Sequence, residues 1–157
     1  MRKISLVDLS AQYQKIKPEI DKAISEVINS TAFINGPAVK EFQVALEKYL
    51  GVKHVIPCAN GTDALQISMM ALGLKPGDEV IAPDFTFIAT AEVIALLGLT
   101  PVLVDVEPDT FNICPESIKK AITPRTRAIV PVHLFGQAAD MDAIMQIAAE
   151  HNLFVIE

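Results

Sequence analysis

The chain has 157 residues, of which 51% are hydrophobic and 20% charged, and its formal net charge is -6. This length and apolar content suffice for a buried core, and about one domain is the first expectation. The negative net charge and the lack of any basic run of three or more residues argue against nucleic-acid binding through a charged patch.

The cysteines and the apolar segments indicate the cellular compartment of the protein. Cys58 and Cys114 lie far apart, and no Cys-x-x-Cys occurs, so the sequence indicates neither a disulfide framework nor a zinc site. The start, MRKISLVDLS, lacks the apolar segment of a secretory signal peptide. The longest apolar stretch, residues 93–104, is interrupted by Gly98 and Pro101 and is too short to span a bilayer. We therefore expect a soluble cytoplasmic protein that binds no metal and no membrane.

The first 53 residues predict a helical segment. Apolar residues recur on one helical face over residues 18–28, with Pro18 in the first turn. The same spacing over residues 37–50 predicts a second helix, which Gly51 ends. The stretch between the two helices, TAFINGP, predicts a loop.

Residues 54–157 predict a different architecture, in which short strands alternate with helices. The predicted strands are residues 54–58, 79–82, 101–105, 127–132 and 153–156. The predicted helices are residues 62–72, 87–97, 115–122 and 141–150, the last with Asp140 as its N-cap. A turn at residues 75–78 precedes the second strand. This alternation is typical of βαβ units and predicts an α/β fold with a mostly parallel sheet and helices on both faces.

The segment Asn60-Gly61-Thr62-Asp63 follows the first predicted strand and begins a helix. Ligands of parallel sheets bind beyond the carboxyl ends of the strands. The first N–H groups of a helix lack partners within it, and the helix dipole adds partial positive charge there. Gly61 would allow a tight turn and a close anion, and Thr62 would add a hydroxyl donor. The segment therefore predicts a phosphate site, although a simple turn with a helix cap explains it equally well.

The motifs of common phosphate-binding and hydrolytic enzymes are absent from the sequence. It contains no Gly-x-Gly, no G-x-x-x-x-G-K and no G-x-S-x-G. A bound phosphate would therefore belong to another cofactor. Phe85 and Phe87 follow the next strand, where an aromatic ring can lie over a planar cofactor. Packing in the core is the alternative for each of them.

Several motifs together resemble those of a known family. In order, they are FINGPAVKEF, NGTDAL, KPGDEVIAPDFTFIATA, VDVEPDTFNI, VPVHLFGQAADMDAI and HNLFVIE. The set resembles the amino-terminal part of the DegT/StrS-type sugar-nucleotide aminotransferases, over nearly the whole chain. These enzymes use pyridoxal phosphate and have the aspartate aminotransferase fold, fold type I. The resemblance implies that residues 54–157 are an incomplete cofactor-binding large domain.

The resemblance also implies site residues. Gly61, Thr62 and Asp63 match the turn that holds the cofactor phosphate, mainly through backbone N–H groups and the Thr hydroxyl. Phe87 matches the aromatic residue that stacks on the pyridine ring, which leaves Phe85 to pack. FINGP matches a loop near the sugar-nucleotide site.

The motif VHLFGQ matches a strand end beneath the cofactor. We favour for His133, in this motif, the role of a packed and hydrogen-bonded core residue.

Family membership further implies the substrates and the assembly. The amino group would come from an amino-acid donor, typically glutamate, and pass to a keto-sugar attached to a nucleotide diphosphate. Such reactions serve amino-sugar and cell-surface polysaccharide biosynthesis. The family's members are homodimers whose active sites borrow residues from the partner subunit.

Two residues that pyridoxal chemistry needs are expected after Glu157. They are the Lys that forms the Schiff base and the Asp that pairs with the pyridine nitrogen. None of the ten lysines present suits the first role. We therefore expect a fragment of a longer enzyme that is inactive alone. The alternatives are a sugar dehydratase of the same fold and a truncated, non-catalytic binding or dimerisation module.

Overall fold

The computed structural model describes residues 6–157, and the chain divides into two compact units, Met1–Pro57 and Cys58–Glu157. The first unit contains helices α1 (Leu9–Ser30) and α2 (Pro37–Leu50). Over residues 6–157, no helix combines the length and the apolar character that crossing a membrane requires.

Helix α1 begins nine residues before the predicted start at Pro18. Asp8 caps it, because the Asp8 carboxylate accepts a hydrogen bond from the N–H of Ala11 at 2.9 Å. Pro18 therefore lies inside the helix, and the prediction of a first-turn proline is wrong. Proline lacks the N–H that would bond the carbonyl of Gln14. Both residues are exposed, so water can satisfy that carbonyl.

Helix α2 confirms the second predicted helix, and Gly51 ends it in the left-handed region with φ 68°. The predicted strand at residues 54–58 is wrong, since no strand forms there. The N–H of Val55 donates instead to the Glu47 carboxylate at 3.1 Å. In a sheet, the backbone N–H and C=O groups of a strand are hydrogen-bonded to a neighbouring strand. Here the carboxylate of Glu47 accepts the N–H of Val55 instead.

The second unit is an α/β layer structure, which confirms the predicted fold class. Its elements are α3 (Gly61–Ala71), β1 (Glu79–Pro83), α4 (Ala89–Leu96), β2 (Thr100–Val104), α5 (Pro115–Ala121), β3 (Thr126–Ile129), α6 (Met141–His151) and β4 (Phe154–Val155). A short 3₁₀ turn, Leu134–Gly136, follows β3. The sheet has the order β2-β1-β3-β4, and all three pairings are parallel.

Strand β1 is central and fully buried, because helices cover both faces of the sheet. Alternate residues of a strand point to opposite faces. Val80 and Ala82 accordingly pack in one apolar cluster and Ile81 in another. The first cluster includes Met69 of α3 with Val93 and Ile94 of α4, and the second includes Ile118 of α5 with Ile144 and Ile147 of α6.

The amino edge of the sheet holds a buried carboxylate. Glu79, at the start of β1, accepts hydrogen bonds from the Thr123 hydroxyl, from the Arg125 guanidinium, and from the Thr126 hydroxyl at 3.3 Å. The bond from Thr123 is the main cause that lowers the pKa of Glu79 below its ordinary value. This edge is therefore a closed polar network that joins β1 to the start of β3.

Candidate functional site

The amino end of α3 lies level with the carboxyl end of β1. Helix α3 has 11 residues and is about 16 Å long at 1.5 Å per residue. Strand β1 has 5 residues and is also about 16 Å long at 3.3 Å per residue. Met69 of α3 belongs to the same apolar cluster as Val80 and Ala82 of β1, and only residues 72–78 connect the end of α3 to the start of β1. A helix that packs on a strand and is joined to it by so short a connection runs opposite to that strand. This connection puts residues 60–63 at the carboxyl edge of the sheet, although the strand at residues 54–58 from which that position was predicted does not form.

Asn60 caps α3 with its side chain. Its Oδ1 accepts a hydrogen bond from the N–H of Asp63 at 2.9 Å, and its Nδ2 donates to the Asp63 carboxylate at 3.2 Å. Within residues 6–157, no group accepts a hydrogen bond from the N–H of Gly61, the N–H of Thr62 or the Thr62 hydroxyl. Among the described residues, three donors at the amino terminus of α3 thus have no acceptor, while the N–H of Asp63 donates to the cap.

Gly61 plays a different conformational role from the expected one. It is the first residue of α3, and its φ is outside the left-handed region, so the expectation that Gly61 enables a tight turn is wrong. A Cβ atom built at this position would meet no atom within 4 Å. The space over Gly61 is therefore open, which agrees with the other expectation, that an anion can approach the backbone here.

The two phenylalanines after β1 differ in their surroundings. Phe85 packs on Phe111, with 5.4 Å between the ring centroids and 43° between the ring planes. The side chain of Phe87 is 75% exposed, on the last residues before α4. Phe85 thus packs as predicted on one neighbour but is still 49% exposed, and Phe87 is the more exposed of the two rings.

His133 follows β3 and is hydrogen-bonded through both ring nitrogens. Its Nδ1 accepts from the N–H of Ala139 at 3.1 Å, and its Nε2 lies 2.8 Å from the Glu157 carboxylate. The prediction of a hydrogen-bonded residue is confirmed. The ring is 34% exposed, however, so the prediction of a core position is wrong. The Nε2 side of the ring faces the exposed carboxylate of Glu157 rather than the apolar core.

Asn112 is a buried polar residue that the sequence did not single out. Its side chain bonds the backbone of Leu134, Gln137 and Ala138, in the loop after β3. The sequence indicated no role for it, because its partners are more than twenty residues away along the chain.

A wide cleft of the second unit does not include the predicted site residues. Its volume is about 520 Å³, and it lies between the loop after β2 and the start of α6. Three of its charged groups already have partners, since Lys119 pairs with Glu116 at 2.7 Å and Asp140 caps α6. We therefore place the candidate site at Gly61, Thr62 and Phe87.

The lysines within residues 6–157 lie on the surface of the two units. All are exposed except Lys17, which is half-buried and paired with Asp21 on α1. Lys119 bonds Glu116 on α5.

The chain resembles proteins of one family. The model of the DegT/DnrJ/EryC1/StrS aminotransferase family matches residues 14–157. A UDP-2-acetamido-2-deoxy-3-oxo-D-glucuronate aminotransferase of Pseudomonas aeruginosa is 53% identical over 154 residues, which make up 98% of this chain and 43% of that protein. Crystal structures agree. A DegT DnrJ EryC1 StrS aminotransferase of Brucella abortus has a TM-score of 0.95 and 48% identity, over 99% of this chain and 43% of that one.

A second solved relative bears on the cofactor. The structure of ntda of Bacillus subtilis, with bound cofactor pmp, has a TM-score of 0.91 and 42% identity, over 99% of this chain and 37% of that one. The aminotransferases of this family depend on pyridoxal phosphate, and their large domain has fold type I. The chain spans less than half the length of these relatives. Because the family model matches residues 14–157 and the relatives are similar over nearly the whole chain, the chain belongs to the DegT/DnrJ/EryC1/StrS aminotransferase family.

Proposed function

We propose that this chain is part of a pyridoxal-phosphate-dependent aminotransferase that passes an amino group from glutamate to a keto-sugar linked to a nucleotide diphosphate. One observation carries the proposal. Unbonded donors at Gly61 and Thr62 lie at the same sheet edge as the exposed ring of Phe87. Such a site suits a planar cofactor with a phosphate tail. The product would enter amino-sugar or cell-surface polysaccharide biosynthesis.

The phosphate would lie over the amino end of α3. The open space above Gly61 supports its entry, and the N–H groups of Gly61 and Thr62 would donate to it together with the Thr62 hydroxyl. Hydrogen bonds to a charged acceptor are stronger than neutral ones, and the helix dipole adds to them. Asp63 would contribute its N–H once the Asn60 side chain turns away from it.

Phe87 would stack on the face of the cofactor ring. The Phe87 ring is exposed, so a cofactor ring can reach it. When bound, the cofactor supplies an electron sink for the carbon that carries the amino group. The proton transfers and the ring-nitrogen contact need a Lys and an Asp that the family resemblance assigns to positions after Glu157. Residues 1–157 alone would therefore not catalyse the transfer.

A nucleotide-linked keto-sugar is the substrate class we propose. The Pseudomonas aeruginosa relative is named for a UDP-linked 3-oxo sugar, which supports this class over other amino acceptors. In the first unit, residues 33–37 lead into α2, and Phe33 and Ile34 among them are 62% and 90% exposed. We propose that this loop lies near the sugar nucleotide.

A homodimer is the proposed assembly, in the cytoplasm. Neither α1 nor α2 has a buried residue, although each has an apolar face. The exposed apolar residues of these helices include Ile16, Ile20, Ile24, Ile28, Val39, Phe42, Tyr49 and Leu50. Uncovered apolar area of this kind supports a subunit contact. We further propose that residues 1–53 form a helical segment apart from the cofactor-binding domain of residues 54–157.

The test uses the complete protein, loaded with pyridoxal phosphate and freed of excess by dialysis. We expect a bound cofactor with a visible absorbance band. Glutamate should change that band and yield 2-oxoglutarate, and a nucleotide-linked keto-sugar should restore it. A protein that retains no cofactor, or whose band glutamate leaves unchanged, would contradict the proposal.

A further inference from the structure

The loop of residues 133–139, which follows β3, is held in a strained shape. Phe135 has φ 54° and ψ 23°, in the left-handed region, and its side chain is 83% exposed. A bulky residue seldom adopts this conformation, and it persists only where the surroundings impose it. No packing of the Phe135 ring explains it, because that ring points into solvent. The cause must lie in the contacts of the rest of the loop.

Asn112 supplies those contacts from the loop after β2. Its Nδ2 donates to the carbonyls of Gln137 and Ala138, each at 3.1 Å, and its Oδ1 accepts from the N–H of Leu134 at 3.0 Å. Asn112 is 3% exposed as a residue, so these bonds are shielded from water. Three bonds from one buried amide therefore fix the path of the loop.

The same loop fixes the tautomer and the direction of His133. The N–H of Ala139 donates to Nδ1 of His133 at 3.1 Å, so the proton of the neutral ring is on Nε2. That Nε2–H then donates to the Glu157 carboxylate, 2.8 Å away. Glu157 lies two residues after the end of β4, at the carboxyl edge of the sheet. The contacts thus run from Asn112 through the loop and His133 to the end of β4.

We propose that Asn112 and His133 are positioning residues, which aim the His133 Nε2–H at Glu157 and so set the direction in which the chain leaves β4 at the ligand edge. Neither residue touches the Gly61, Thr62 and Phe87 site directly. They act through Glu157 on the residue that follows it in the complete protein. The effect on a bound cofactor rests on the proposed function, but the hydrogen bonds themselves do not.

Two substitutions of His133 separate its two hydrogen bonds. In His133→Asn, the short amide oxygen can replace Nδ1 and accept from Ala139, but it cannot reach Glu157. In His133→Gln, the longer amide can replace Nε2 and donate to Glu157, but the bond from Ala139 is lost. Both variants lose one hydrogen bond, so a purely structural role predicts similar losses of stability and no difference in the cofactor.

The experiment uses the complete protein with ¹⁵N-labelled histidine and has two readouts. Without cofactor, the ¹⁵N spectrum should assign the proton of neutral His133 to Nε2; a proton on Nδ1 would overturn the proposal. With cofactor, the absorbance spectrum of His133→Gln should match that of the unsubstituted protein, and the spectrum of His133→Asn should shift. Identical spectra for both variants, or equal shifts, would overturn it as well.

A failure of the proposed function is distinguishable from a failure of this inference. If the unsubstituted protein binds no cofactor, the proposed function is wrong. The ¹⁵N spectrum then decides the inference alone, together with Glu157→Gln, which should change the Nε2 signal of His133. An unchanged Nε2 signal in that variant would overturn the hydrogen bond to Glu157.

Discussion

The polar groups at the two edges of the parallel sheet differ in their hydrogen bonding. At the amino edge, Glu79 is buried, and three neighbouring side chains donate to its carboxylate. At the carboxyl edge, the N–H groups of Gly61 and Thr62 and the Thr62 hydroxyl have no partner within residues 6–157. The amino edge thus satisfies its charge internally, whereas the carboxyl edge leaves donors open to a ligand.

The comparison suggests which edge carries stability and which carries binding. A buried charge is tolerated only with full hydrogen bonding, so a change at Glu79 should disturb folding. Open donors at a helix amino terminus cost little in water and gain strength when an anion binds. Substitutions at the carboxyl edge should therefore affect the cofactor, and substitutions at the amino edge should affect stability.

The largest effect on the cofactor is expected for Gly61→Val. Its side chain would fill the space proposed for the phosphate, so the affinity for pyridoxal phosphate should fall by about 2–3 kcal/mol, or roughly 30- to 150-fold. The free energy of unfolding without cofactor should change by less than about 1 kcal/mol, because a Cβ at Gly61 meets no atom. Equilibrium dialysis and urea unfolding of the complete protein measure the two quantities. An unchanged affinity would show that the phosphate does not bind over Gly61.

A smaller loss is expected for Thr62→Ala. Removal of one hydroxyl donor to a charged acceptor should weaken cofactor binding by about 1–2 kcal/mol. Thr62→Ser should retain most of the affinity, since it keeps the hydroxyl. Thr100→Ala is the matched control, because Thr100 is an exposed residue at the start of β2. Equal losses for Thr62→Ala and Thr100→Ala would mean that the hydroxyl of Thr62 makes no specific contact.

For Phe87→Ala, we expect a loss of about 0.5–1.5 kcal/mol in cofactor affinity and a shifted absorbance band, since stacking on the ring would be lost. Phe85→Ala should instead lower stability and leave the affinity nearly unchanged, because Phe85 packs on Phe111. Fluorescence titration with pyridoxal phosphate compares the two variants. The same cofactor loss in both would show that the two aromatics do not have separate roles.

The smallest effect on the cofactor is expected for Glu79→Gln, although it should destabilise the fold. The folded protein holds the pKa of Glu79 below its ordinary value of 4.5, mainly through the Thr123 hydroxyl. The unfolded chain therefore binds more protons in this range, so stability rises with pH. The contribution is complete above the ordinary pKa and is lost as the pH falls through the lowered folded value.

Urea unfolding from pH 7 down to about pH 3 measures this contribution. The difference between the unsubstituted protein and Glu79→Gln should shrink as the pH falls. Glu116→Gln is the control, because Glu116 pairs with Lys119 on the exposed surface and should matter little. A large loss of cofactor affinity in Glu79→Gln would break the division of roles between the two edges.

The elements of the second unit could be predicted because their signals are local. A short apolar run and a following turn indicate β1, and Gly77, with φ 92°, completes the turn at residues 75–78. Asp140 caps α6 as predicted, since an N-cap needs only the next few residues. The segment at Gly61 was found for the same reason, because helix termini are visible in a sequence.

The errors occur where distant residues decide the structure. Residues 54–58 have the composition of a strand, but Glu47 takes the N–H of Val55 from eight positions away. The roles of Asn112 and Glu79 depend on partners 22 to 47 residues distant. Such long-range contacts leave no periodic pattern in the sequence. The start of α3 could therefore be predicted, whereas the hydrogen bonds of Asn112 to the loop of residues 133–139 could not.

A crystal structure of the complete protein with bound pyridoxal phosphate tests the central claim most directly. We expect phosphate oxygens within about 3 Å of the N–H groups of Gly61 and Thr62 and of the Thr62 hydroxyl, with the Phe87 ring on the cofactor ring. A phosphate bound elsewhere, with these three donors still facing solvent, would contradict the assignment of this edge as the cofactor site.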